Sequence, residues 1–399
     1  MLSSGIFIRQ APRVAVLALR GLYSGGIVVI NQERLLNEFL ELVQIDSETK
    51  NEAQINKVLK DKLIEMGFTV EEDDAAAKTG HGGNNLIATL EGNAKGPAIL
   101  FSSHMDTVVP GNGVKPQVRD GYVYSDGTTI LGADDKAGIA AIFEAIRTLK
   151  EKNLPHPTIQ VVLTVGEESG LVGSRAMDSS LLKAEMGFIL DSEGPVGAIT
   201  VAGAGQYRIV TKIHGKAAHA GVNPEDGISA ITIASKAISR MSLGRIDADT
   251  TANIGRFEGG KAYNIVTDYV EVWSEARSLV MDKLEAQVKS MTTAFEEAAA
   301  EMGGKCENDV IFMYHGYKFN EETPVVQKAI GAVKRIGRNP ELVSSGGGSD
   351  GNVFNGYNIP SVNFAIGYED IHTKNERMPI AELNKASELV LAVIAEVLE

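Results

Sequence analysis

The sequence predicts an α/β protein: a mixed sheet covered by helices on both faces, interrupted by a smaller inserted domain of ferredoxin-like βαββαβ order. Three observations predict it. Helix-period and strand-period segments alternate over residues 31–202, the pattern of a sheet with helices packed on its faces. Over residues 203–314 the order becomes strand, helix, two strands, helix, strand, which is that of a split βαβ sandwich. Alternation then resumes over residues 315–399, so the second unit reads as an insertion in the first.

The elements follow in order. Asn31-Gln-Glu-Arg-Leu opens an amphipathic helix that runs through Leu42, and residues 55–66 repeat at helical spacing. Residues 85–90 read as a strand and the unbroken apolar run at 98–103 as a buried one. Residues 137–150 form a helix, 158–165 a β-branched strand and 187–190 a short apolar strand. In the insertion, residues 206–213 alternate like a strand and 227–241 are helical. Residues 252–257 and 265–275 read as two strands, 281–302 as a long helix and 310–314 as a last strand. Residues 325–336 return to helical spacing, strands follow near Glu341 and Ser361, and a final helix runs from Ala381 to the C-terminus.

Composition narrows the function. The 399 residues, 44% hydrophobic and 23% charged, fit two globular domains with a substantial core. A net charge of −14 argues against a nucleic-acid partner, whose phosphates need a basic field. The acidity serves solubility, or some of the acids are metal ligands. Cys306 is the single cysteine, so no internal disulfide forms and a reducing, cytoplasmic setting is expected. A metal site would then use His, Asp and Glu, donors that suit Zn²⁺, Mn²⁺ or Co²⁺ better than an iron–sulfur cluster.

Residues 1–32 contain no acidic residue but carry Arg9, Arg13 and Arg20. The apolar run at 14–19 is too short to span a bilayer, and Arg20 interrupts it as a targeting segment. Residues 1–30 are expected to be a leader outside the fold, with the chain proper starting near Val28 or Val29, and no membrane partner is expected.

Five acidic or histidine motifs carry the chemistry. His104-Met-Asp106 follows the strand at 98–103. In extended backbone, residues i and i+2 point the same way, so His104 can bind a metal while Asp106 holds its other ring nitrogen. Gly132-Ala-Asp134-Asp135-Lys136 precedes a helix; two adjacent acids there equally describe a helix cap. Glu167 and Glu168 follow the strand at 158–165. Their side chains diverge, so Glu168 can ligate while Glu167 takes a proton from a metal-bound water, and two like charges this close push one pKa up. An exposed acidic turn is the plain alternative. Asp191 ends a short apolar strand, and His372, in Tyr368-Glu-Asp-Ile-His372, would be a surface histidine if seen alone. His81, His156, His214 and His315 have no motif around them and read as structural or exposed.

Together these residues carry a resemblance. His104-Met-Asp106-Thr, Gly132-Ala-Asp-Asp-Lys-Ala-Gly138, Gly166-Glu-Glu-Ser-Gly170, Gly215-Lys-Ala-Ala-His219 and the late His372 resemble the peptidase T branch of a zinc-peptidase family. That family also holds glutamate carboxypeptidases, aminoacylases and succinyl-diaminopimelate desuccinylases. The resemblance covers nearly everything from Asn31 to the C-terminus. It implies that His104, Asp134 and Asp191 hold one metal and that Asp134, Glu168 and His372 hold the other. Glu167 would be the general base, and the family often has a cis peptide bond where Asp134 meets Asp135. Metals roughly 3.5–4 Å apart clamp a water and polarise the scissile carbonyl.

The family resemblance extends to the lid. His219 matches a histidine that donates to the oxyanion, often in the site of a partner subunit. Asn264 and Arg277 resemble lid residues that hold substrate backbone or carboxylate, although an Arg on a strand is equally a surface ion pair. Gly346-Gly-Gly348-Ser-Asp-Gly351 fits G-x-G-x-x-G, but a dinucleotide fingerprint opens the first βα unit. Near the end of the chain, the resemblance instead makes Gly347, Gly348 and Ser349 a cradle of N–H groups for substrate backbone.

The implied activity is an aminopeptidase for short peptides, tripeptides foremost, with two Zn²⁺ per subunit and a homodimer formed through the inserted domain. One rival keeps the chemistry and changes the substrate: an amidohydrolase of N-acyl or N-carbamoyl amino acids, or a carboxypeptidase. Another is a catalytically inactive peptide-binding relative.

Overall fold

The computed structural model describes residues 29–399. The leader expected over residues 1–30 lies outside the described residues except for its last two. Of these, Val29 is exposed, while Ile30 packs in the core and belongs to the fold.

In chain order, the strands up to the second sheet are β1 (Thr69–Glu72), β2 (Leu86–Leu90), β3 (Ile99–His104), β4 (Gln117–Arg119), β5 (Tyr122–Tyr124), β6 (Ile159–Thr164), β7 (Met186–Ser192) and β8 (Ala198–Gly203). The second sheet is built from β9 (Gly205–His214), β10 (Gly244–Arg245), β11 (Thr250–Gly259), β12 (Tyr269–Ser278) and β13 (Lys305–Tyr314). The remaining strands are β14 (Tyr317–Lys318), β15 (Glu341–Ser345), β16 (Ser361–Ala365) and β17 (Arg377–Pro379).

The large sheet runs β1-β2-β6-β3-β7-β16-β8-β14, with β15 beside β8. It is mixed: β3 pairs in parallel with β6 and β7, and β7 with β16, while β2 and β8 bring antiparallel edges. Its central strands are apolar on both faces, which is why they read as unbroken hydrophobic runs. Ile99 and Phe101 enter the main core, beside the helices Gln32–Val43, Ala133–Glu151 and Ile380–Leu398. Leu100 enters a smaller cluster on the opposite face, with Ile87, Val162, Ile189 and Phe354.

The first helix is fixed at its start. The Asn31 side chain accepts from the Arg34 N–H at 3.0 Å, satisfying one of the unpaired donors of a helix N-terminus. Its own N–H donates to Glu144 Oε1 at 2.8 Å, and Arg34 Nε donates to Glu144 Oε2 at 2.6 Å. The buried Glu144 carboxylate thus ties Gln32–Val43 to Ala133–Glu151.

The chain leaves the large sheet at Gly203 and returns to it at Tyr317. Between these points the second sheet takes the order β10-β11-β12-β9-β13, all antiparallel. Apart from the short β10, this is the ferredoxin-like arrangement. Ile209 and Ile213 of β9 and Val270, Val272 and Ala276 of β12 pack under the helices Ala230–Ser239 and Met281–Met302. Strand side chains alternate, so Gln206, Arg208 and Val210 of β9 and Trp273, Glu275 and Arg277 of β12 occupy the helix-free face.

Some element bounds differ from expectation for physical reasons. β13 begins at Lys305 rather than 310, because as a sheet edge it is studded with the polar residues Glu307, Asn308 and Asp309. Residues 265–268 precede β12 and form a loop that meets His219 through an isolated bridge at Ile265. The helix Ala133–Glu151 contains Asp134 and Asp135 in non-helical conformation, joined by a cis peptide bond.

Candidate metal centre and active site

The parallel strands deliver the motifs to one edge of the large sheet, where open α/β sheets place their ligands. His104 is the last residue of β3, Glu167 and Glu168 follow β6, Asp191 lies at the end of β7, and His372 sits in the segment after β16. Asp134 joins them from the start of Ala133–Glu151.

The side chains converge. His104 Nε2 is 3.1 Å from Asp134 Oδ1 and 3.7 Å from Asp191 Oδ1. His372 Nε2 is 3.0 Å from both Asp134 Oδ2 and Glu168 Oε1. Two donor groups result, His104/Asp134/Asp191 and Asp134/Glu168/His372, and each has ligand atoms within 4.8 Å of one another. Asp134 belongs to both and presents a different oxygen to each histidine. Glu167 belongs to neither, yet lines the same cavity of about 480 Å³ as Asp134, Glu168, Asp191 and His372.

Asp106 meets the ring of His104 as expected, but through its main chain more closely than through its carboxylate. His104 Nδ1 donates to the Asp106 backbone oxygen at 2.9 Å, and the carboxylate stands further off at 3.5 Å. That carboxylate accepts instead from Thr49 Oγ1 at 2.8 Å, from the Glu167 N–H at 3.0 Å and from the Glu168 N–H at 3.3 Å. The Asp106 carbonyl takes the ring N–H, and its carboxylate stays within ion-pair reach of the same nitrogen. The Asp106 side chain therefore fixes the turn that carries both glutamates.

Arg277, Gly347, Gly348 and Ser349 line the cavity. Gly348 packs on Tyr314, where a Cβ would meet the ring at 2.3 Å, so no larger residue fits. His219 and Asn264 do not line it; both are exposed on neighbouring loops of the insertion. The Gly221 N–H donates to His219 Nδ1 at 3.1 Å, which leaves Nε2 of the neutral ring carrying the proton.

Several partners in the site have no motif. Glu376, buried four residues after His372, accepts from the N–H groups of Leu131 and Gly132, both at 2.8 Å, and of Asp134 at 3.0 Å. One carboxylate thus joins the segments that deliver Asp134 and His372. Tyr368 Oη donates to Asp191 Oδ1 at 3.2 Å, and the Asp191 N–H donates to Asn363 Oδ1 at 2.9 Å. His81, expected to be structural or exposed, is structural: it is buried behind the Gly166 turn with Nε2 3.1 Å from Ser169 Oγ.

The electrostatics fit a cation. Burial pushes the Glu167 and Asp191 carboxyls well up, reinforced by each other's neighbourhood of acids: Asp191, Asp350 and Glu168 around Glu167, and Asp134, Asp350 and Glu168 around Asp191. Burial raises the Asp135 carboxyl as well, with Asp191 adding to it. Burial would likewise lower the His104 imidazolium, but Asp106, Asp134 and Asp191 outweigh it and hold it well above its usual range. His372, held by Asp134 and Glu168, is raised to about 10. Among the described residues, no Lys or Arg is ion-paired with Asp134, Glu168 or Asp191. A knot of carboxylates balanced only by two histidines is a donor set for divalent cations.

A pH dependence follows. His372 holds a proton at neutral pH when no cation is bound, and must release it to ligate. Lowering the pH below about 10 therefore opposes binding at His372. The apparent metal dissociation constant is expected to weaken by about tenfold per pH unit between pH 8 and 6 for each proton displaced. Calorimetry in buffers of different ionisation enthalpy should read at least one proton released on loading; a pH-independent affinity would contradict this.

Known proteins resemble this chain in sequence and in fold. Residues 100–396 match the peptidase family M20/M25/M40. The chain is 61% identical over 368 residues to the uncharacterized protein YqjE of Bacillus subtilis, covering 92% of this chain and 99% of that one. Among solved structures, the aminopeptidase PepT from Bacillus cereus matches with a TM-score of 0.89 at 59% identity, covering 93% of this chain and 100% of its own. A tripeptidase from Staphylococcus aureus matches with a TM-score of 0.89 at 51% identity, covering 94% and 100%.

Proposed function

This chain belongs to the peptidase family M20/M25/M40 and is a metallopeptidase, and from that premise we propose that it is an aminopeptidase for short peptides, tripeptides foremost, holding two Zn²⁺ per subunit. The observation that carries the reading is the pair of donor groups sharing Asp134, with the unligated Glu167 opening into the same cavity. The likeness to an aminopeptidase and a tripeptidase at 59% and 51% identity supports the substrate class.

His104, Asp134 and Asp191 would hold one cation and Asp134, Glu168 and His372 the other; Mn²⁺ or Co²⁺ suit the same donors. Bound there, the cations supply Lewis-acid polarisation of the scissile carbonyl and lower the pKa of the attacking water. Glu167 takes the proton from that water and hands it to the leaving amine. Asp106 keeps Glu167 in place through its main-chain N–H. Gly347, Gly348 and Ser349 line the wall along which a peptide backbone would lie.

We assign residues 31–202 and 315–399 to the catalytic domain and 203–314 to a lid that also forms a homodimer. His219 of the partner subunit then serves as the oxyanion donor, with Asn264 beside it, since in its own chain neither lines the cavity. Among the described residues no helix is long and apolar enough to cross a membrane, and the lone Cys306 supports a cytoplasmic setting.

The test is a panel of tripeptides, dipeptides and N-acylated amino acids, run with added Zn²⁺, Mn²⁺ or Co²⁺. Free tripeptides are expected to be cleaved from the amino end. Turnover of N-blocked substrates alone would make the protein an amidohydrolase. Two bound cations with no turnover would make it a binding protein.

A further inference from the structure

We propose that Asn352 is a positioning residue that couples the glycine loop of the cavity to the hinge of the lid, so that a peptide lying on the loop also sets the lid; this rests on the reading of the site as a short-peptide aminopeptidase. The chain passes between the two sheets twice. Only Ala204 separates β8 from β9, and only His315 and Gly316 separate β13 from β14. The two crossings lie against each other with no room for a side chain between them. A Cβ on Gly316 would meet the Gly205 nitrogen at 2.9 Å and the Gly203 oxygen at 3.4 Å. Two short, adjoining pieces of backbone at strand ends are where one sheet can turn on the other.

The Asn352 amide spans both crossings. It is buried in the first turn of the helix Asp350–Gly356. Its Nδ2 donates to the Ala204 oxygen at 3.1 Å and to the His315 oxygen at 2.8 Å. Its Oδ1 accepts from the Ser349 N–H at 3.1 Å. One side chain thus ties both crossings to the residue that ends the glycine loop. The helix start alone does not require an amide: an acceptor at this position completes a capping box, and Glu supplies one as well. The two carbonyl oxygens need two donors, and only an amide brings those together with the acceptor. Gly203 leaves the space for it, since a Cβ there would stand 3.0 Å from Asn352 Oδ1.

The other end of the loop meets the same hinge. The Ala204 N–H donates to the oxygen of Ser345, the residue before Gly346, at 3.2 Å. Between these anchors the loop touches the lid. Arg277 Nη1 donates to the Gly346 oxygen at 3.3 Å, and Gly348 packs on Tyr314, the last residue of β13. Ser345, Gly347, Gly348 and Ser349 all line the cavity that holds the candidate metal ligands. A ligand shifts a conformational equilibrium only through contacts that differ between its states. A loop bonded at both ends to the hinge gives a bound peptide such contacts.

The experiment follows backbone hydrogen exchange in the Zn²⁺-loaded Glu167→Gln protein, which lacks the proposed base and so holds a tripeptide uncleaved, with and without saturating trialanine. Trialanine is expected to slow exchange by at least about fivefold both in the loop, residues 345–349, and in the crossings, residues 203–205 and 314–317. Adding Asn352→Asp keeps the acceptor for Ser349 and removes both N–H donors; the loop should still be slowed, while the crossings change by less than about twofold. Asn352→Ala, which buries no charge, repeats the comparison. With Glu167 restored, either Asn352 variant should raise KM for trialanine about tenfold. Metal content should not change, because Asn352 belongs to neither donor group. Crossings slowed equally with and without the Asn352 amide would overturn the assignment, as would crossings that trialanine leaves unchanged in Glu167→Gln. Trialanine that slows neither region and is not cleaved by metal-loaded wild type would overturn the short-peptide reading, and this assignment with it.

Discussion

Replacing Glu167 with Gln is expected to lower kcat by about 10²- to 10⁴-fold while both cations still bind. The substitution keeps the size and removes the proton acceptor. Glu167 is outside both donor groups, so metal content should stay at the wild-type level. Its turn is held by the main chain, through the Glu167 N–H to Asp106 Oδ1 at 3.0 Å and the Glu168 N–H to Asp106 Oδ2 at 3.3 Å, and neither bond involves its side chain. A buried carboxyl pushed upward by its own burial and by Asp191, Asp350 and Glu168 is suited to accept a proton near neutral pH. Steady-state kinetics with metal analysis of the same samples decides the matter. Loss of a cation together with activity would reassign Glu167 as a ligand; retention of more than about a tenth of kcat would remove it as the base.

Four of the five candidate ligands were legible in the sequence because each sits where a local pattern ends; His372 ends none and came only with the family resemblance. His104 and Asp191 close apolar runs, Glu168 follows a β-branched one, and Asp134 precedes a helix. Side-chain roles one step further out were not. The i, i+2 rule put Asp106 at the ring of His104, and it is there, but the shorter bond is to its backbone carbonyl and its carboxylate also holds the turn of both glutamates. Glu376 receives its donors from a segment more than 240 residues away, and no periodicity encodes such a pairing. Arg277 lines the cavity as expected and is also the ion pair that a strand arginine ordinarily is. Strand β13 was shortened in prediction because its exposed polar residues hide the alternation that a half-buried strand shows.

Asp134→Ala is expected to reduce bound metal from two cations per chain to at most one and to lower kcat/KM by about 10³-fold or more. The shared carboxylate is the reason. Asp134 Oδ1 faces His104 at 3.1 Å and Oδ2 faces His372 at 3.0 Å, so its removal leaves only the pairs His104/Asp191 and Glu168/His372. Asp191→Ala should behave differently, because Asp191 belongs to one donor group alone; the site around Glu168 and His372 should keep its affinity. The rise in Tm on adding Zn²⁺ gives a readout independent of turnover, since a ligand that binds only the folded state stabilises it by mass action. In Asp134→Ala that rise should shrink markedly, and in Asp191→Ala it should shrink less. The backbone of Asp134 is held separately, by its N–H to Glu376 Oε1 at 3.0 Å, so the alanine variant should keep the loop in place. Asp134→Ala protein that still loads two cations with wild-type affinity would show that the donor groups are independent, and the bridging role would have to be given up.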